Sequence, residues 1–439
     1  NAVWGMTQAA SELVRSLHHL GVQFNVTDDD ELDLRNFGGQ KKKRTAFAQS
    51  DTGKQLMTAL IDAVRREESA GTVERFPHHK FRTLLLSGNI CGGCTVQDTY
   101  TGELLRFVCD AVLIATGGLH GLFGDTTGSL ANTGEVTAEL FRLGVPMANL
   151  EMIQYHPTTV ELGEKRMLLS EAARGEGGRL FALRNGKPWY FMEEKYPELG
   201  NLMPRDITAR EVWTVSRDYE VFLDMTELPK EVMEHKLAGL VDDCQTYLHK
   251  DIRKEPIPIL PGIHYFMGGI QVDERHRTSM RNLYAAGECC AQYHGANRLG
   301  GNSLLGAIYG GQIAAETACR ETVSSPNMPC AEESLLPELS PDAQMQMNRI
   351  LLNALGVVRD AQTLEAGIQE IRKLSGTLPL LGCAMLESAL ARKESRGAHW
   401  RADYPQRNDA VYCKTTVAHW NGQHIAISFE SIPERRHDL

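Results

Sequence analysis

Two short apolar runs that end at glycines constrain the fold more than any other feature of this sequence. Ala111-Val-Leu-Ile-Ala115 runs directly into Thr116-Gly117-Gly118, and Leu283-Tyr-Ala-Ala286 runs into Gly287. Short apolar runs with such boundaries are typical of buried strands. In α/β sheets, ligands bind where a strand stops at glycines, because the backbone there can approach the ligand closely. The sequence therefore predicts an α/β fold with a ligand site at the ends of these two strands.

An amphipathic helix is predicted upstream of the first run. Leu56, Leu60 and Val64 recur every four positions between Thr52 and Ser69, which places them on one face of a helix. Asp51 precedes the stretch and suits the N-cap position. We expect this helix to pack on the sheet.

The rest of the chain divides by composition and periodicity. Residues 150–265 are rich in Arg, Glu, Gly and His and are punctuated by prolines, which indicates a domain inserted between two parts of the sheet. From Ser324 to Pro341 the composition is that of a linker. Helical periodicity from about 343 to 390 predicts a small bundle, and alternation from Val417 to Phe429 predicts strands. The predicted domains are 1–149 and 266–330 for the two parts of the sheet, 150–265 for the insertion, 336–395 for the helices and 396–439 for the C-terminal domain.

Composition and charge exclude several classes of protein. The 439 residues are 42% hydrophobic and 23% charged, close to the averages of globular domains. The net charge is −10 and the basic residues are scattered apart from Lys41 to Arg44, so we expect no nucleic-acid partner. No run reaches the 18 apolar residues of a membrane span, and we expect the chain itself not to cross a bilayer.

The cysteines do not predict a cross-linked or metal-binding protein. Ten cysteines without disulfide-like spacing indicate reduced thiols in a cytosol-like compartment. Cys91 and Cys94 have the spacing of a redox or metal motif, but no second pair follows them, and we interpret them as packing residues. No metal site is predicted.

Four sequence blocks, taken together and in their order, resemble the flavoprotein subunit of the succinate dehydrogenase and fumarate reductase family. The blocks are Gln154-Tyr-His-Pro-Thr158, Ser170-Glu-Ala-Ala-Arg-Gly-Glu-Gly-Gly178, His264-Tyr-Phe-Met-Gly-Gly269 and His294-Gly-Ala-Asn-Arg-Leu-Gly-Gly-Asn-Ser303. Phe37-Gly38-Gly39, Pro204-Arg205-Asp206 and the stretch from Ala391 to His399 join them, so the resemblance covers essentially the whole chain. It implies a Rossmann-like FAD-binding domain with an inserted α+β capping domain, a helical domain and a small C-terminal β-containing domain.

The resemblance also shows what the 439 residues lack. Family members open with a strand, a G-x-G-x-x-G turn and a helix that seat the FAD pyrophosphate. A His that carries the flavin covalently in the complex-forming members follows this segment. Neither feature is present, and the chain begins at Asn1 rather than Met. We expect a fragment, or a first segment supplied as another chain, and the sequence leaves open whether FAD is attached covalently.

The implied substrate is a four-carbon dicarboxylate. Such a dianion needs several fixed donors or cations in a dry pocket. By resemblance, His156 and Ser170 would bind one carboxylate, and His264 and Arg298 would bind the other. A single His is more often a satisfied core residue, but four residues in matching blocks favour a binding site.

The family assigns proton transfer to the arginine at the position of Arg205. A guanidinium is a poor acid on its own, so its proton must be replaced promptly. Glu171, Arg174 and Asp206 match the family's proton relay, and Glu171 and Arg174 would share one face of a helix. The alternative is that these residues form structural ion pairs.

The implied FAD contacts follow the strand ends and the next helix. Glu288 would bond a ribityl hydroxyl, and a helix starting at Asn302 would place its amides at the ring edge where negative charge gathers on reduction. Glu135 occupies the position of the Asp in the family's usual Thr-Gly-Asp-Gly, so the acidic side chain that would contact FAD there is longer. The full implied set is Thr116, Gly117, Gly118, Glu135, Glu288, Arg298, Asn302, Ser303 and Leu304.

Electrons must leave through another chain, because the sequence has neither a ferredoxin-like cysteine cluster nor a C-x-x-C-H haem signature. The resemblance implies an iron-sulfur subunit and membrane-anchor subunits as partners, with quinone reached indirectly. It also implies a peripheral position on the cytoplasmic face of the cell membrane. The physiological direction, succinate oxidation or fumarate reduction, is left open.

Three other interpretations compete with that of a succinate dehydrogenase or fumarate reductase subunit. L-aspartate oxidase shares His-Gly-Ala-Asn-Arg but typically continues Met-Ala-Ser, where this chain has Leu299-Gly300-Gly301. Soluble flavocytochrome-type reductases lack the region from about 340 to 439. A non-catalytic fragment that binds a dicarboxylate or serves assembly is the third alternative.

Overall fold

The computed structural model describes residues 1–40, 42–49, 51–163, 165–322, 324 and 338–432. The helices are α1 Ala2–His19, α2 Thr52–Ser69, α3 Glu135–Arg142, α4 Ala172–Gly175, α5 Phe191–Lys195, α6 Arg205–Ser216, α7 Ala238–Tyr247, α8 Asn302–Glu321, α9 Pro341–Ala354, α10 Ala361–Ile371, α11 Thr377–Ala391 and α12 Asp409–Tyr412. The strands are β1 Leu34–Arg35, β2 Thr45–Ala46, β3 His79–Ser87, β4 Ile90–Asp98, β5 Leu104–Val108, β6 Val112–Ile114, β7 Met147–Ala148, β8 Ile153–Leu162, β9 Lys165–Leu168, β10 Arg179–Arg184, β11 Lys187–Trp189, β12 Val221–Asp224, β13 Ile257–Pro258, β14 Leu260–Phe266, β15 Gly269–Gln271, β16 Leu283–Ala285, β17 Cys290–Ala291, β18 Lys414–Trp420 and β19 Ile425–Ser431.

The two strands that end at glycines pair with each other. β6 and β16 are parallel, with Val112 opposite Leu283 and Ile114 opposite Ala285. Because parallel strands end at the same edge, the glycines that follow them lie on one side of the sheet. The predicted α/β architecture is confirmed, although β6 is only partly buried, since Leu113 is 42% exposed.

The described residues form five further sheets, of which the smallest is the antiparallel pair of β1 and β2. β3, β4 and β5 form an antiparallel sheet next to the pair of β6 and β16, and β17, β15, β7, β18 and β19 form a five-stranded sheet in that order. The predicted C-terminal strands are therefore present as β18 and β19, and β18 pairs with β7. The region between holds a four-stranded sheet, in the order β11, β10, β12, β13, and a three-stranded sheet, in the order β14, β8, β9.

Two large hydrophobic clusters form the core. The larger one joins β6, β16 and α3 to the helices α9, α10 and α11, so the helical bundle packs onto the sheet region. The smaller one contains buried residues from Leu169 to Ile259 only, which is what a separately packed insertion requires. The exact domain boundaries stay predictions.

Most predicted helices are present. α2 spans Thr52–Ser69, with Asp51 at the N-cap position but without a capping side-chain bond. Its expected packing on a sheet is wrong, because its buried Leu56 clusters with Leu17 of α1 and Ile308 of α8. The bundle helices α9, α10 and α11 confirm the periodicity between 343 and 390.

The sequence also predicted a linker and the absence of a membrane-spanning segment. The predicted linker from Ser324 to Pro341 lies largely outside the described residues. Within the part of the chain that the structure describes, no helix combines the length and the apolar character that crossing a membrane requires.

Candidate active site

Arg205 and Glu171 form the centre of a row of buried charged side chains. Arg205 is the first residue of α6, and its Nε and Nη2 donate to Glu171 Oε2 at 2.9 and 2.6 Å. Glu171 Oε1 accepts from Arg174 Nη2 at 3.1 Å, and Arg174 Nη1 donates to the carbonyl of the half-buried Asn201 at 2.7 Å. The structure thus brings three of the four predicted relay residues into one hydrogen-bonded row.

Two glycines make room for the Glu171 carboxylate. A Cβ on Gly38 would lie 2.5 Å from Oε1, and a Cβ on Gly300 would lie 2.8 Å from Oε2. The backbone N–H of Gly38 donates to Oε1 at 3.1 Å. Burial alone would raise the pKa of Glu171, but the Arg205 and Arg174 guanidiniums outweigh it and hold this pKa below its usual value. Glu171 is therefore an ionised acceptor at neutral pH.

Asp206, the fourth predicted relay residue, has a different partner. Its Oδ1 accepts from Asn297 Nδ2 at 2.7 Å, and burial raises its pKa above the usual value. Asn297 in turn bonds Gln154 through its Oδ1 at 2.9 Å. Asp206 thus ties α6 to the loop that carries Arg298.

His156 and His264 lie side by side, with ring centroids 5.2 Å apart. His156 lies on β8 and His264 on the adjacent strand β14. Burial, with Arg205 as the next largest cause, lowers the pKa of both imidazoles well below the usual value. Both rings are therefore neutral at pH 7, and Nε2 of His156 is buried without a hydrogen-bond partner.

Arg298 is the most unusual charged residue of the site. Its side chain is buried, and among the described residues its Nε has no partner and its guanidinium makes a single long hydrogen bond, 3.5 Å from Nη1 to the Leu299 carbonyl. The guanidinium lies over the Tyr265 ring, 4.4 Å from the centroid. Burial and then the neighbouring Arg205 lower the pKa of Arg298 to about 9. No carboxylate among the described residues forms an ion pair with it.

Ser170 stands at the edge of the same group. It immediately precedes Glu171, is half-buried, and its Oγ accepts from the Ala172 N–H at 3.3 Å. This contact leaves the hydroxyl proton available to an acceptor, so Ser170 can serve as a donor to a bound anion.

Gln154 and Thr127 belong to the site but were not singled out from the sequence. Gln154 Oε1 accepts from Arg205 Nη1 at 3.1 Å, and its Nε2 donates to the Arg298 carbonyl at 2.8 Å. Thr127 Oγ1 lies 2.8 Å from His264 Nδ1. Gln154 lies within the first resemblance block and could have been found there, whereas no pattern in the sequence connects Thr127 with His264.

The strand ends beside this group fit a flavin nucleotide. Gly117 has φ 72°, and a Cβ on Gly118 would lie 2.6 Å from Glu288 Oε1. α8 begins at Asn302, as predicted, and the Asn302 N–H donates to the Leu299 carbonyl at 3.2 Å. The next amides of the first turn have no acceptor within the helix and suit an anionic or carbonyl acceptor. The buried His120 contacts Glu288 at 3.5 Å and has an unpartnered Nδ1. Close backbone approach and unused donors at one edge are what an FAD site requires.

The remaining predicted FAD residues differ in their surroundings. Thr116 is exposed after β6, and Ser303 and Leu304 lie in the first turn of α8. Glu135 starts α3 and forms a salt bridge with Lys80 at 2.9 Å. Cys91 is fully buried in β4, in agreement with a packing role, and the described residues contain no cluster suited to a metal ion.

Comparison with known proteins places this site in a family. Residues 2–304 match the family model described as an FAD binding domain, and residues 375–436 match that of the fumarate reductase flavoprotein C-terminus. The succinate dehydrogenase flavoprotein subunit of Bacillus subtilis is 37% identical, over 98% of this chain and 82% of its own length. The chain belongs to the succinate dehydrogenase and fumarate reductase flavoprotein family. It is therefore an oxidoreductase flavoprotein subunit, and its cofactor is FAD.

Other members and solved structures agree with this assignment. A fumarate reductase flavoprotein subunit of Mycobacterium tuberculosis is 33% identical over 94% of this chain and 81% of its own length. A variant of the E. coli quinol fumarate reductase FrdA superimposes with a TM-score of 0.87 at 26% identity, over 97% of this chain and 83% of that one. L-aspartate oxidase of Streptomyces coelicolor, at 29% identity over 99% of this chain and 81% of its own length, is a more distant relative.

Proposed function

We propose that this chain interconverts succinate and fumarate, with Arg205 as proton donor and acceptor. The observation that carries the proposal is the unpaired guanidinium of Arg298. A buried cation without a counter-ion costs several kcal/mol, so its retention favours a site that is completed by a bound anion. Succinate and fumarate each supply two carboxylates, and Arg298 lies in the same group as the neutral His156 and His264.

The two carboxylates of the substrate would bind to different members of this group. We assign one carboxylate to His156 and Ser170, and the other to His264 and Arg298. The Nε–H of Arg298 and the ring nitrogen Nε2 of His156 have no partner among the described residues, so both are available to the substrate. A bidentate contact from Arg298 fixes the orientation of its carboxylate as well as its charge.

Arg205 would exchange a proton with the central carbon of the substrate. In fumarate reduction the guanidinium of Arg205 gives a proton to carbon and must regain one at once. The carboxylate of Glu171, held ionised 2.6 Å from Arg205 Nη2, has no proton of its own to give, so it would pass on a proton taken from Arg174, which donates to its other oxygen. Arg174 would in turn be reprotonated from the side of the half-buried Asn201, and succinate oxidation would run the same row in reverse.

The chemistry that bound FAD would supply is hydride transfer, from a central carbon of succinate in one direction and to fumarate in the other. The residues that would hold FAD are Gly117, Gly118, Glu288, Asn302 and Ser303, together with Thr116, Glu135, Arg298 and Leu304. Their part is to exclude water and to orient the ring edge against the dicarboxylate.

Electrons would pass to an iron-sulfur subunit and onward to quinone through membrane-anchor subunits. The chain itself would then lie peripherally on the cytoplasmic face of the membrane. Support comes from the similarity to a quinol fumarate reductase and to Mycobacterium smegmatis Sdh1 in complex with UQ1, which has a TM-score of 0.81 at 25% identity over 98% of this chain and 82% of that one.

The geometry at Gly300 argues against an L-aspartate oxidase. That enzyme typically has Ala where this chain has Gly300, and a Cβ there would lie 2.7 Å from Phe37 Cβ and 2.8 Å from Glu171 Oε2. The position of the Glu171 carboxylate therefore depends on the glycine that the succinate and fumarate enzymes carry.

The test is flavin content and succinate-dependent dye reduction of the purified protein. We expect flavin absorbance, and dye reduction that succinate starts and L-aspartate does not. Colourless protein without dye reduction would favour the non-catalytic fragment, and activity with L-aspartate would favour the oxidase. A fraction of flavin that resists denaturant would show covalent attachment.

A further inference from the structure

The position of Thr127 has a consequence for the chemistry of His264. The loop residues Thr126 and Thr127 run alongside β14, where Thr126 forms a parallel bridge with Ile263. The Thr127 N–H donates to the Ile263 carbonyl at 2.9 Å. The Thr127 hydroxyl is thereby fixed 2.8 Å from Nδ1 of His264.

A neutral imidazole carries its proton on only one of its two nitrogens. Burial, Arg205 and His156 are the leading causes that keep the pKa of His264 low, and Arg298 and His120 act in the same direction. His264 is therefore neutral at pH 7. If Nδ1 carries the proton, Nε2 presents a lone pair that repels a carboxylate. If Nε2 carries it, the ring donates to a carboxylate.

The hydroxyl of Thr127 has two acceptors within reach, Nδ1 of His264 at 2.8 Å and the Ile263 carbonyl at 3.3 Å. The Ile263 carbonyl already accepts the Thr127 N–H. The carbonyl has a second lone pair, but Nδ1 lies 0.5 Å closer to the hydroxyl, and this shorter distance favours donation to Nδ1. A nitrogen that accepts a hydrogen bond carries no proton, so the proton of the ring resides on Nε2.

We propose that Thr127 is a positioning residue that fixes His264 as the Nε2–H tautomer, so that the ring donates to the substrate carboxylate. This inference rests on the proposed function only for the identity of the anion. The tautomer itself belongs to the protein without substrate.

The matched variants are Thr127→Val, which keeps the shape and removes the hydroxyl, and Thr127→Ser, which restores the hydroxyl. Thr126→Val is the control, because the hydroxyl of this neighbouring residue is buried and has no hydrogen-bond partner among the described residues. We expect Thr127→Val to raise the KM for succinate about ten-fold with kcat nearly unchanged, because one donor to the carboxylate is lost in ground and transition states alike. Thr127→Ser should return the KM to within about two-fold.

The second readout is the tautomer, measured by nitrogen-15 NMR of histidine-labelled FAD-loaded protein, with the His264 signal assigned from a His264→Gln sample. The inference predicts a protonated Nε2 and an unprotonated Nδ1 in the wild type and in Thr127→Ser. A protonated Nδ1 in the wild type would overturn it, as would an unchanged KM in a folded Thr127→Val protein or an equal rise in Thr126→Val. If the wild type did not turn over succinate, the proposed function would fail while the NMR result still decided the tautomer.

Discussion

Arg392 and Arg298 are both buried arginines, but only Arg392 has all of its donors bonded. Arg392 donates from Nε to Glu151 at 2.7 Å and from Nη1 to Glu394 at 2.9 Å. The same residue completes its bonds with the Tyr412 and Lys414 carbonyls and the Thr416 hydroxyl. Arg298 has one long contact to a carbonyl and no carboxylate partner among the described residues.

The difference in hydrogen bonding distinguishes Arg392, a charge with a structural role, from Arg298, a charge that we assign to ligand binding. A buried ion pair with all of its hydrogen bonds made joins segments of the chain. Here Arg392 connects the end of α11 to Glu151, two residues before β8, and to β18. A buried cation with unused donors and no counter-ion is costly, so we propose that Arg298 is retained for a ligand. The two regions should therefore respond to mutation in opposite ways.

The largest effect should come from Arg205→Lys. Lysine keeps the positive charge beside Glu171 but loses the fork that donates from two nitrogens at once. We expect turnover of succinate to fall by about 10²–10⁴-fold while succinate binding persists. The control is Arg217→Lys at the exposed end of α6, which should leave turnover unchanged. Full turnover in Arg205→Lys would remove Arg205 from the proton step.

The next effect concerns the paired charges. Arg392→Met would leave Glu151 buried without its cation and would remove one of the two arginines that pair with Glu394, which should cost about 3–5 kcal/mol and lower the midpoint of thermal unfolding. Arg407→Met removes an exposed partner of Asp409, with 61% of the arginine side chain exposed, and should cost less than about 1 kcal/mol. Equal midpoints for the two variants would contradict the structural role of Arg392.

A smaller effect is expected at Gly300. Its replacement by Ala would press on Glu171 Oε2 and on Phe37, and so displace the acceptor of Arg205. We expect turnover to fall by up to about 10²-fold through misalignment. Gly311→Ala is the matched control, because a Cβ there meets no atom within 4 Å. A Gly300→Ala enzyme as fast as Gly311→Ala would show that the close fit around Glu171 is not needed.

The smallest effect is a dependence of stability on pH. Burial, with Arg205 next, lowers the pKa of His156 and His264 in the folded protein, so below about pH 6.5 the unfolded chain binds protons that the folded chain does not. Stability should therefore decrease as the pH falls from 7.5 to 5.5. His264→Gln should show a smaller drop in the unfolding midpoint, whereas a variant of the exposed His424 should keep the full drop. Identical drops in both variants would refute the buried, neutral His264.

The parts of the fold that depend on local pattern were predicted well. α2 and the bundle helices follow from apolar spacing, and β6 and β16 follow from two apolar runs that both end at glycines. That these two strands pair with each other is a finding of the structure. The surface against which α2 packs was predicted wrongly, because amphipathic spacing shows which face is buried and not what covers it.

The sequence predicted those site residues that lie within recognisable motifs. The resemblance blocks named Arg205, Glu171 and Arg174, which the structure brings together. Asp206 is adjacent to Arg205 in sequence but bonds Asn297, because its direction depends on how α6 meets a loop 91 residues away. Thr127 contacts His264, which lies 137 residues later in the chain. A contact between two isolated side chains produces no periodic pattern from which the sequence could predict it.

The central claim, that the unpaired Arg298 is completed by a dicarboxylate, is tested most directly by ligand-induced thermal shift. The measurement compares the unfolding midpoint of wild type and Arg298→Met with succinate and with butyrate, which has the same number of carbons and one carboxylate fewer. We predict that succinate raises the wild-type midpoint, that butyrate does not, and that Arg298→Met loses the response without being less stable in the absence of ligand. A response to succinate that persists in Arg298→Met, or an equal response of the wild type to butyrate, would contradict the account.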